Sequence, residues 1–223
     1  LIQGKALLST LKSFNIKYQI LNSKKDFVKT KKLINLIKKK SIRGALIVDK
    51  NTFSKVKTNK KKQKKKFIKR FEFIEYLLNK IDKKTSIFSS VGYNSRELFQ
   101  IRKEHNYTKG KDFLVVGGMG HTFSIAISYA QKNKNKVICI DGDGSFIMHL
   151  GSFLLLPKMK RENFKYIMID NNSHESIGDQ KINLKKINYR LLVKSLGFSN
   201  YHYMKSSNDF RKIDNFLKIK GAS

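Results

Sequence analysis

Beyond residue 67 of this 223-residue chain, short and nearly uninterrupted apolar runs alternate with longer stretches of helical period: TSIFSS, KDFLVVGG, KVICIDGDG and FKYIMIDNN are the runs. Few folds accept that pattern. A strand that is apolar along most of its length has to be covered on both faces, and strands separated by helices run parallel. The pattern therefore predicts an α/β fold with a mostly parallel sheet and helices on both faces. Helices are expected in FIKRFEFIEYLLNKI, around SRELFQIRKEH, in TFSIAISYAQKN and in SFIMHLGSFLLLPKM. Two more are expected in RLLVKSLG and DFRKIDNFLKI, with a short strand, YHYMK, between them. The unusual residues gather at the C-terminal ends of the strands, in SVGYNS, VGGMGH, DGDGS and DNNSHES. In open α/β sheets that edge is where ligands bind.

The Lys-rich run over residues 56–67, which contains TNKKKQKKK, repels itself and stays solvated, so it reads as a linker between residues 1–55 and 68–223. Before it, GKALLSTLKSFNIKYQIL reads as a helix and a short strand, KDFVKTKKLINLIKKK as an amphipathic helix and RGALIVDK as a strand. Helix, strand, helix, strand is the closing part of a second α/β domain. About 55 residues are too few to cover both faces of a sheet. The chain also opens on Leu1, so the expectation is that an upstream piece is missing or that another chain completes the sheet.

The formal charge of +32 would ordinarily point to nucleic acid. Only seven of the 48 basic residues are Arg, the residue suited to forked recognition of phosphate and base edges, and the lysines are spread along the chain. Composition thus argues against a specific nucleic-acid partner, leaving non-specific attraction to polyanions at low salt. The longest apolar runs, such as FLLLP and YIMI, fall far short of the ~20 residues of a membrane span. The start, LIQGKALLSTLKSF, lacks the apolar centre of a signal peptide. The single cysteine, Cys139, excludes an intramolecular disulfide and fits a core position in a reducing compartment, so a cytoplasmic protein is expected.

The stretch VICIDGDGSFIMHLGS carries two aspartates, Asp141 and Asp143, among glycines, at what reads as strand, tight turn and helix start. Such a turn is where an α/β sheet binds phosphate. Bare carboxylates repel phosphate, so Asp143 makes sense there if a divalent cation lies between the two. From Gly144 to Asn171 there are 26 intervening residues, room for a helix and a return strand, so the two strand ends can lie side by side. Asp143 and an Asn side chain would then face one point. One carboxylate, one amide oxygen and a backbone carbonyl make a hard oxygen site, which suits Mg²⁺ completed by water and two phosphate oxygens of a diphosphate. Gly142 and Gly144 allow the turn and let backbone N–H groups approach the anion. A DG turn or an NN pair alone is more often only a turn. Their occurrence together, beside two further glycine-bearing strand ends at Gly92 and Gly118, favours a site.

SRELFQIR, DFLVVGGMGHTFSIAI, VICIDGDGSFIMHLGS and HESIGDQ together resemble the thiamin-diphosphate-dependent 2-oxo-acid decarboxylases, most narrowly the phosphonopyruvate decarboxylases and next the sulfopyruvate decarboxylases. QGKALLSTLKSFNIKYQIL and RGALIVDKNTF resemble the end of that family's pyrimidine-binding domain. The resemblance implies a thiamin-diphosphate-binding fold over 68–223 and the C-terminal part of a pyrimidine-binding-type domain over 1–55, with thiamin diphosphate and Mg²⁺ as cofactors. It implies Asp143 as a metal ligand, Gly92, Gly118, Gly142, Gly144 and Ser145 around the cofactor, and Met119 as the apolar support beneath its folded rings. Aligned without a gap, the family's NN pair falls on Asp170-Asn171, making Asn171 the side-chain ligand and Ser173 the carbonyl ligand. Taken literally, the NN pair makes Asn172 and the His174 carbonyl the ligands. The first is preferred because YIMI then ends directly before the pair.

His121, His174 and Glu175 are candidates for the substrate region, while His149, within a helix, reads as structural. The glutamate that activates the cofactor in the family sits early in the pyrimidine domain, a part this chain does not contain. The implied reaction is non-oxidative decarboxylation of 3-phosphonopyruvate to phosphonoacetaldehyde and CO₂, a step in phosphonate biosynthesis. The alternatives are a sulfopyruvate decarboxylase subunit and a cofactor-binding subunit with no activity of its own. The implied partner is a second copy, or a chain supplying the rest of the pyrimidine domain.

Overall fold

Parallel pairing is what continuous apolar strands require, and the chain forms it twice. A computed structural model describes residues 2–50, 52–54, 67–105, 111–159, 162–182, 184 and 187–223, in two units, Leu1–Gln63 and Lys64–Ser223. Most of the Lys-rich run expected as a linker lies outside the described residues.

The first unit holds α1 (Ile2–Ser13), β1 (Lys17–Leu21), α2 (Phe27–Lys40) and β2 (Gly44–Val48). β1 and β2 pair in parallel, with Lys17 opposite Gly44 and Leu21 opposite Val48. Asp26 closes the short 3-10 turn Lys24–Asp26 that leads into α2: its Oδ2 accepts the N–H groups of Asn22 and Ser23, both at 3.0 Å. Among the described residues of this unit only Leu21 and Thr30 are buried, and Leu46 and Val48, on one face of β2, stay 44% and 43% exposed. Parallel strands are ordinarily covered on both faces. This unit leaves an apolar strand face open.

The second unit holds α3 (Arg70–Lys80), β3 (Ser86–Ser89), α4 (Tyr93–Glu104), β4 (Lys111–Leu114), α5 (Thr122–Lys132), β5 (Val137–Gly142), α6 (Asp143–Met148) and β6 (Phe164–Ile169). A hairpin of β7 (Ser173–His174) and β8 (Gln180–Lys181) follows, then α7 (Tyr189–Ser195) and α8 (Arg211–Lys218). The main sheet is fully parallel, in the order β4-β3-β5-β6. Alternate side chains face opposite ways. Phe88, Val137, Cys139 and Phe164 pack with Phe123, Ile127, Phe146 and Phe153 on one face. Ile87, Ile138, Ile140 and Ile167 pack with Ile74, Leu77, Leu98, Ile101 and Ile213 on the other. Leu98 and Ile101 have no exposure at all; truncating one such residue to Ala costs about 2–5 kcal/mol.

Two elements depart from expectation. SFIMHLGSFLLLPKM is not one helix: α6 ends at Met148 and a 3-10 helix runs over Leu150–Met159 with Pro157 inside it. Gly151 and Pro157 both disfavour a continuous α-helix there. YHYMK forms no strand. The position beside β6 is taken by the last residues of the sequence, where the Ser223 carbonyl accepts the Tyr166 N–H at 2.7 Å. No described helix is long and apolar enough to cross a membrane.

The strand order also determines where a ligand binds. The chain leaves β3 toward β4 on one side and leaves β5 toward β6 on the other, so the C-terminal ends of the neighbours β3 and β5 flank a crevice.

Candidate cofactor and metal site

A cavity of about 140 Å³ opens at that crevice. It is lined by Ser90, Val91, Tyr93 and Asn94 after β3, by Met119, by Gly142–Ser145 at the end of β5, by Ile169, Asn171 and Ser173–Ile177 after β6, and by Arg70 of α3. Complete small-molecule sites usually enclose ~300–1,000 Å³. This cavity has the size of part of one.

Asp143 is 3% exposed. Its Oδ1 accepts the Gly144 N–H at 2.8 Å, and its Oδ2 is buried with no hydrogen-bond partner among the described residues. Burial pushes its carboxyl up to about 6; the Gly144 N–H opposes the rise, and the charge of neighbouring Asp170 adds to it. A buried carboxylate oxygen without a partner is costly, and a divalent cation would remove that cost.

Asn171 also lines the cavity. Its Oδ1 accepts the Ser173 N–H at 3.2 Å and its Nδ2 donates to Glu175 Oε2 at 3.2 Å. Asn172, the alternative ligand, has φ 55° and does not line the cavity. Its N–H donates to Asp170 Oδ1 at 3.1 Å, and the carbonyl of His174 accepts the Asp179 N–H at 3.0 Å. Asp143, Asn171 and Ser173 together offer an all-oxygen donor set, and such a set suits Mg²⁺. The residues present fit a hard cation.

The remaining sequence candidates are placed as follows. Met119 lines the cavity between Gly118 and Gly120; the left-handed φ of Gly120, 84°, is one that a side chain rarely adopts. Gly118 does not line the cavity, and neither does Gly92, whose φ of 104° starts α4. A Cβ on Gly92 would meet Ser176 Oγ at 3.1 Å, and one on Gly144 would meet His174 Cε1 at 2.5 Å and Nδ1 at 2.9 Å. The turns at Gly92 and Gly144 therefore pack closely against the loop after β6, with no room for a side chain at either glycine. His121 is exposed at the start of α5, its ring 4.2 Å from that of His149, and does not line the cavity. Glu175 does line it but is tied to Arg70, whose Nη2 donates to Oε2 at 2.8 Å.

Sequence reading missed Asp141, Arg70 and Tyr189. Asp141 is 1% exposed and is a hub: Oδ1 accepts the Gly142 N–H at 2.9 Å and Oδ2 the Tyr166 hydroxyl at 3.0 Å, with the Ser145 and Ser90 hydroxyls bonded to it as well. Ser145 Oγ in turn accepts the Gly120 N–H at 3.0 Å, and Ser90 Oγ accepts from Asn94 Nδ2 at 3.0 Å. One carboxylate thus ties β3, β5, β6 and the Met119 turn together. The Tyr189 hydroxyl is buried with no partner among the described residues; burial and the charges of Asp170 and Asp143 push it up to about 12. The doubled aspartate was a signal for Asp141; no local signal marked Arg70 or Tyr189.

Known proteins resemble this chain in sequence and in fold. Against the sulfopyruvate decarboxylase subunit beta of Methanocaldococcus jannaschii the chain is 33% identical over 130 residues, 58% of this chain and 66% of that one. Against the phosphonopyruvate decarboxylase of Streptomyces viridochromogenes it is 28% identical over 142 residues, 63% of this chain and 34% of that one. The chain thus spans about one third to two thirds of these relatives. Among solved structures, the benzoylformate decarboxylase of Polynucleobacter necessarius superposes with a TM-score of 0.55 at 15% identity, covering 70% of this chain and 32% of that one, a likeness of fold. The family profile of the thiamine pyrophosphate enzyme, C-terminal TPP binding domain, matches residues 90–221. That match begins directly after β3, takes in the ends of β5 and β6 and covers more than half of the sequence: the chain belongs to the thiamine pyrophosphate enzymes and carries their C-terminal cofactor-binding domain.

Proposed function

We propose that this chain holds Mg²⁺ through Asp143, Asn171 Oδ1 and the Ser173 carbonyl, that the cation holds the diphosphate of thiamin diphosphate, and that the assembled enzyme decarboxylates 3-phosphonopyruvate to phosphonoacetaldehyde and CO₂. The observation that carries the cofactor part is the buried Oδ2 of Asp143 at the switch point of the sheet, which has no partner among the described residues. Gly144 and Ser145 border the diphosphate, and Met119 supports the cofactor rings. The cofactor, when bound, supplies the electron sink for the pair left by departing CO₂. The chain's own residues fix it, keep water from its buried side and face the substrate. His174, in β7 after β6, brings its ring edge against Gly144 and is the candidate proton donor beside that turn. One proton replaces CO₂ at the former keto carbon, so a proton donor is required.

A second substrate reading, sulfopyruvate, is favoured by the higher identity to a sulfopyruvate decarboxylase subunit and by the larger share of that subunit covered. In both readings another surface completes the site: the cavity is small, and the first unit leaves a β2 face open. That surface would come from a second copy or from a chain carrying the rest of a pyrimidine-binding domain. The test is CO₂ release from phosphonopyruvate and from sulfopyruvate, with thiamin diphosphate and Mg²⁺, by the chain alone and after co-expression with its genomic neighbours. Faster release from phosphonopyruvate supports the first reading and faster release from sulfopyruvate the second. No release from either under any arrangement would leave a cofactor-binding subunit without activity of its own.

A further inference from the structure

We infer that Glu175, held in place by Arg70, is a positioning residue that sets which end of the Asn171 amide faces the cation. The inference rests on the cation site proposed above and goes one layer further out. An Asn side chain has an oxygen and a nitrogen of nearly the same size, and only the partners around it decide which points where. A ligand to a hard cation must present the oxygen. Around Asn171 both ends are specified: Nδ2 donates to Glu175 Oε2 at 3.2 Å, and Oδ1 accepts the Ser173 N–H at 3.2 Å, leaving a second lone pair on the oxygen. With Glu175 gone, no other described residue would hold Nδ2, and the amide could turn its nitrogen toward Asp143.

Glu175 alone would be a poor anchor, since its side chain is 45% exposed. Arg70 supplies the rigidity. Its side chain is 15% exposed, its Nη2 donates to the same Oε2 at 2.8 Å, and its Nε lies 3.1 Å from Glu97 Oε2. The guanidinium also lies 5.3 Å from the centroid of the Tyr93 ring. Helices α3 and α4 thereby brace a loop that follows β6. Outer-shell partners of this kind change metal affinity about 10–100-fold when removed.

The test measures Mn²⁺ binding, by the loss of the free-ion electron paramagnetic resonance signal, to the full chain in the presence of thiamin diphosphate. Glu175→Ala is expected to weaken binding about tenfold, and Arg70→Met to weaken it in the same direction. In an Asn171→Asp background the ligand is a carboxylate whose two oxygens are equivalent, so no orientation has to be set. There, Glu175→Ala should no longer weaken binding. An affinity for Glu175→Ala within about twofold of wild type would overturn the inference, and so would the same tenfold loss in both backgrounds, which would mean a collapsed loop. A wild-type chain that takes up no Mn²⁺ with thiamin diphosphate would overturn the cation site itself, and this inference with it.

Discussion

The two ends of the main sheet each bury a charged side chain, and they treat it in opposite ways. At the N-terminal end, Lys165 of β6 is 1% exposed, and its Nζ donates to the Ile219 carbonyl at 2.7 Å, the Gly221 carbonyl at 2.9 Å and the Ser223 hydroxyl at 2.5 Å. All three of its protons are used within the chain. At the C-terminal end, Asp143 is as deeply buried, but one of its oxygens has no partner among the described residues. Folding seldom leaves such an atom unmatched. The saturated charge fastens the last residues of the sequence against β6; the unsaturated one stands where the proposed cation would be held.

If that contrast is right, substitutions at the two ends should separate ligand binding from stability. The largest effect is expected at Asp143. Thiamin diphosphate and Mg²⁺ at a hundredfold excess over Kd should add about 2.7 kcal/mol to wild-type stability, a rise in Tm of roughly 5–10 °C for a unit of this size. Asp143→Ala should show none of that rise, while its ligand-free Tm stays the same or increases. Lys165→Met should act in reverse. Orphaning its three acceptors is expected to cost about 2–3 kcal/mol, a fall of about 5–10 °C, with a cofactor affinity equal to wild type once the variant is folded.

Asp141 tests the contrast between its extremes, because it is satisfied internally yet bonded to the Ser145 hydroxyl that holds the Met119 turn. Asp141→Asn keeps the shape but points an N–H at hydroxyl donors. It should lose about 1–2 kcal/mol of stability and bind cofactor several-fold more weakly, as chemical denaturation and titration would show. An effect of similar size to that of Asp141→Asn is expected in pH. Burial, with a contribution from Lys136, pushes the Lys165 ammonium down to about 8, below its value in an unfolded chain, ~10.4. Between those values the unfolded state binds more protons, so stability should rise with pH through that window. Urea midpoints at about pH 7.5 and about pH 9.5 should differ in wild type and coincide in Lys165→Met.

How far the sequence could be read follows from what each feature needs. The parallel sheet was legible because covering both faces of a strand writes an apolar run into the chain, and the ligand edge because glycines and carboxylates interrupt those runs. The strand expected at YHYMK did not form; β6 is bonded instead by Ser223, more than a dozen residues further along, which no local pattern reveals. Arg70 and Glu175 are 105 residues apart, and only packing of α3 against the loop after β6 reveals that one holds the other. Asp143 stood out by its chemistry, whereas the role of Asp141 depends on Ser90, Ser145 and Tyr166, which no spacing connects to it.

The most direct test of the central claim is calorimetric titration of the full chain with thiamin diphosphate, with and without Mg²⁺, for wild type and for Asp143→Ala. The account predicts heat of binding for wild type only when Mg²⁺ is present, and none for the variant under either condition. Binding that ignores Mg²⁺, or that survives Asp143→Ala unchanged, would contradict it.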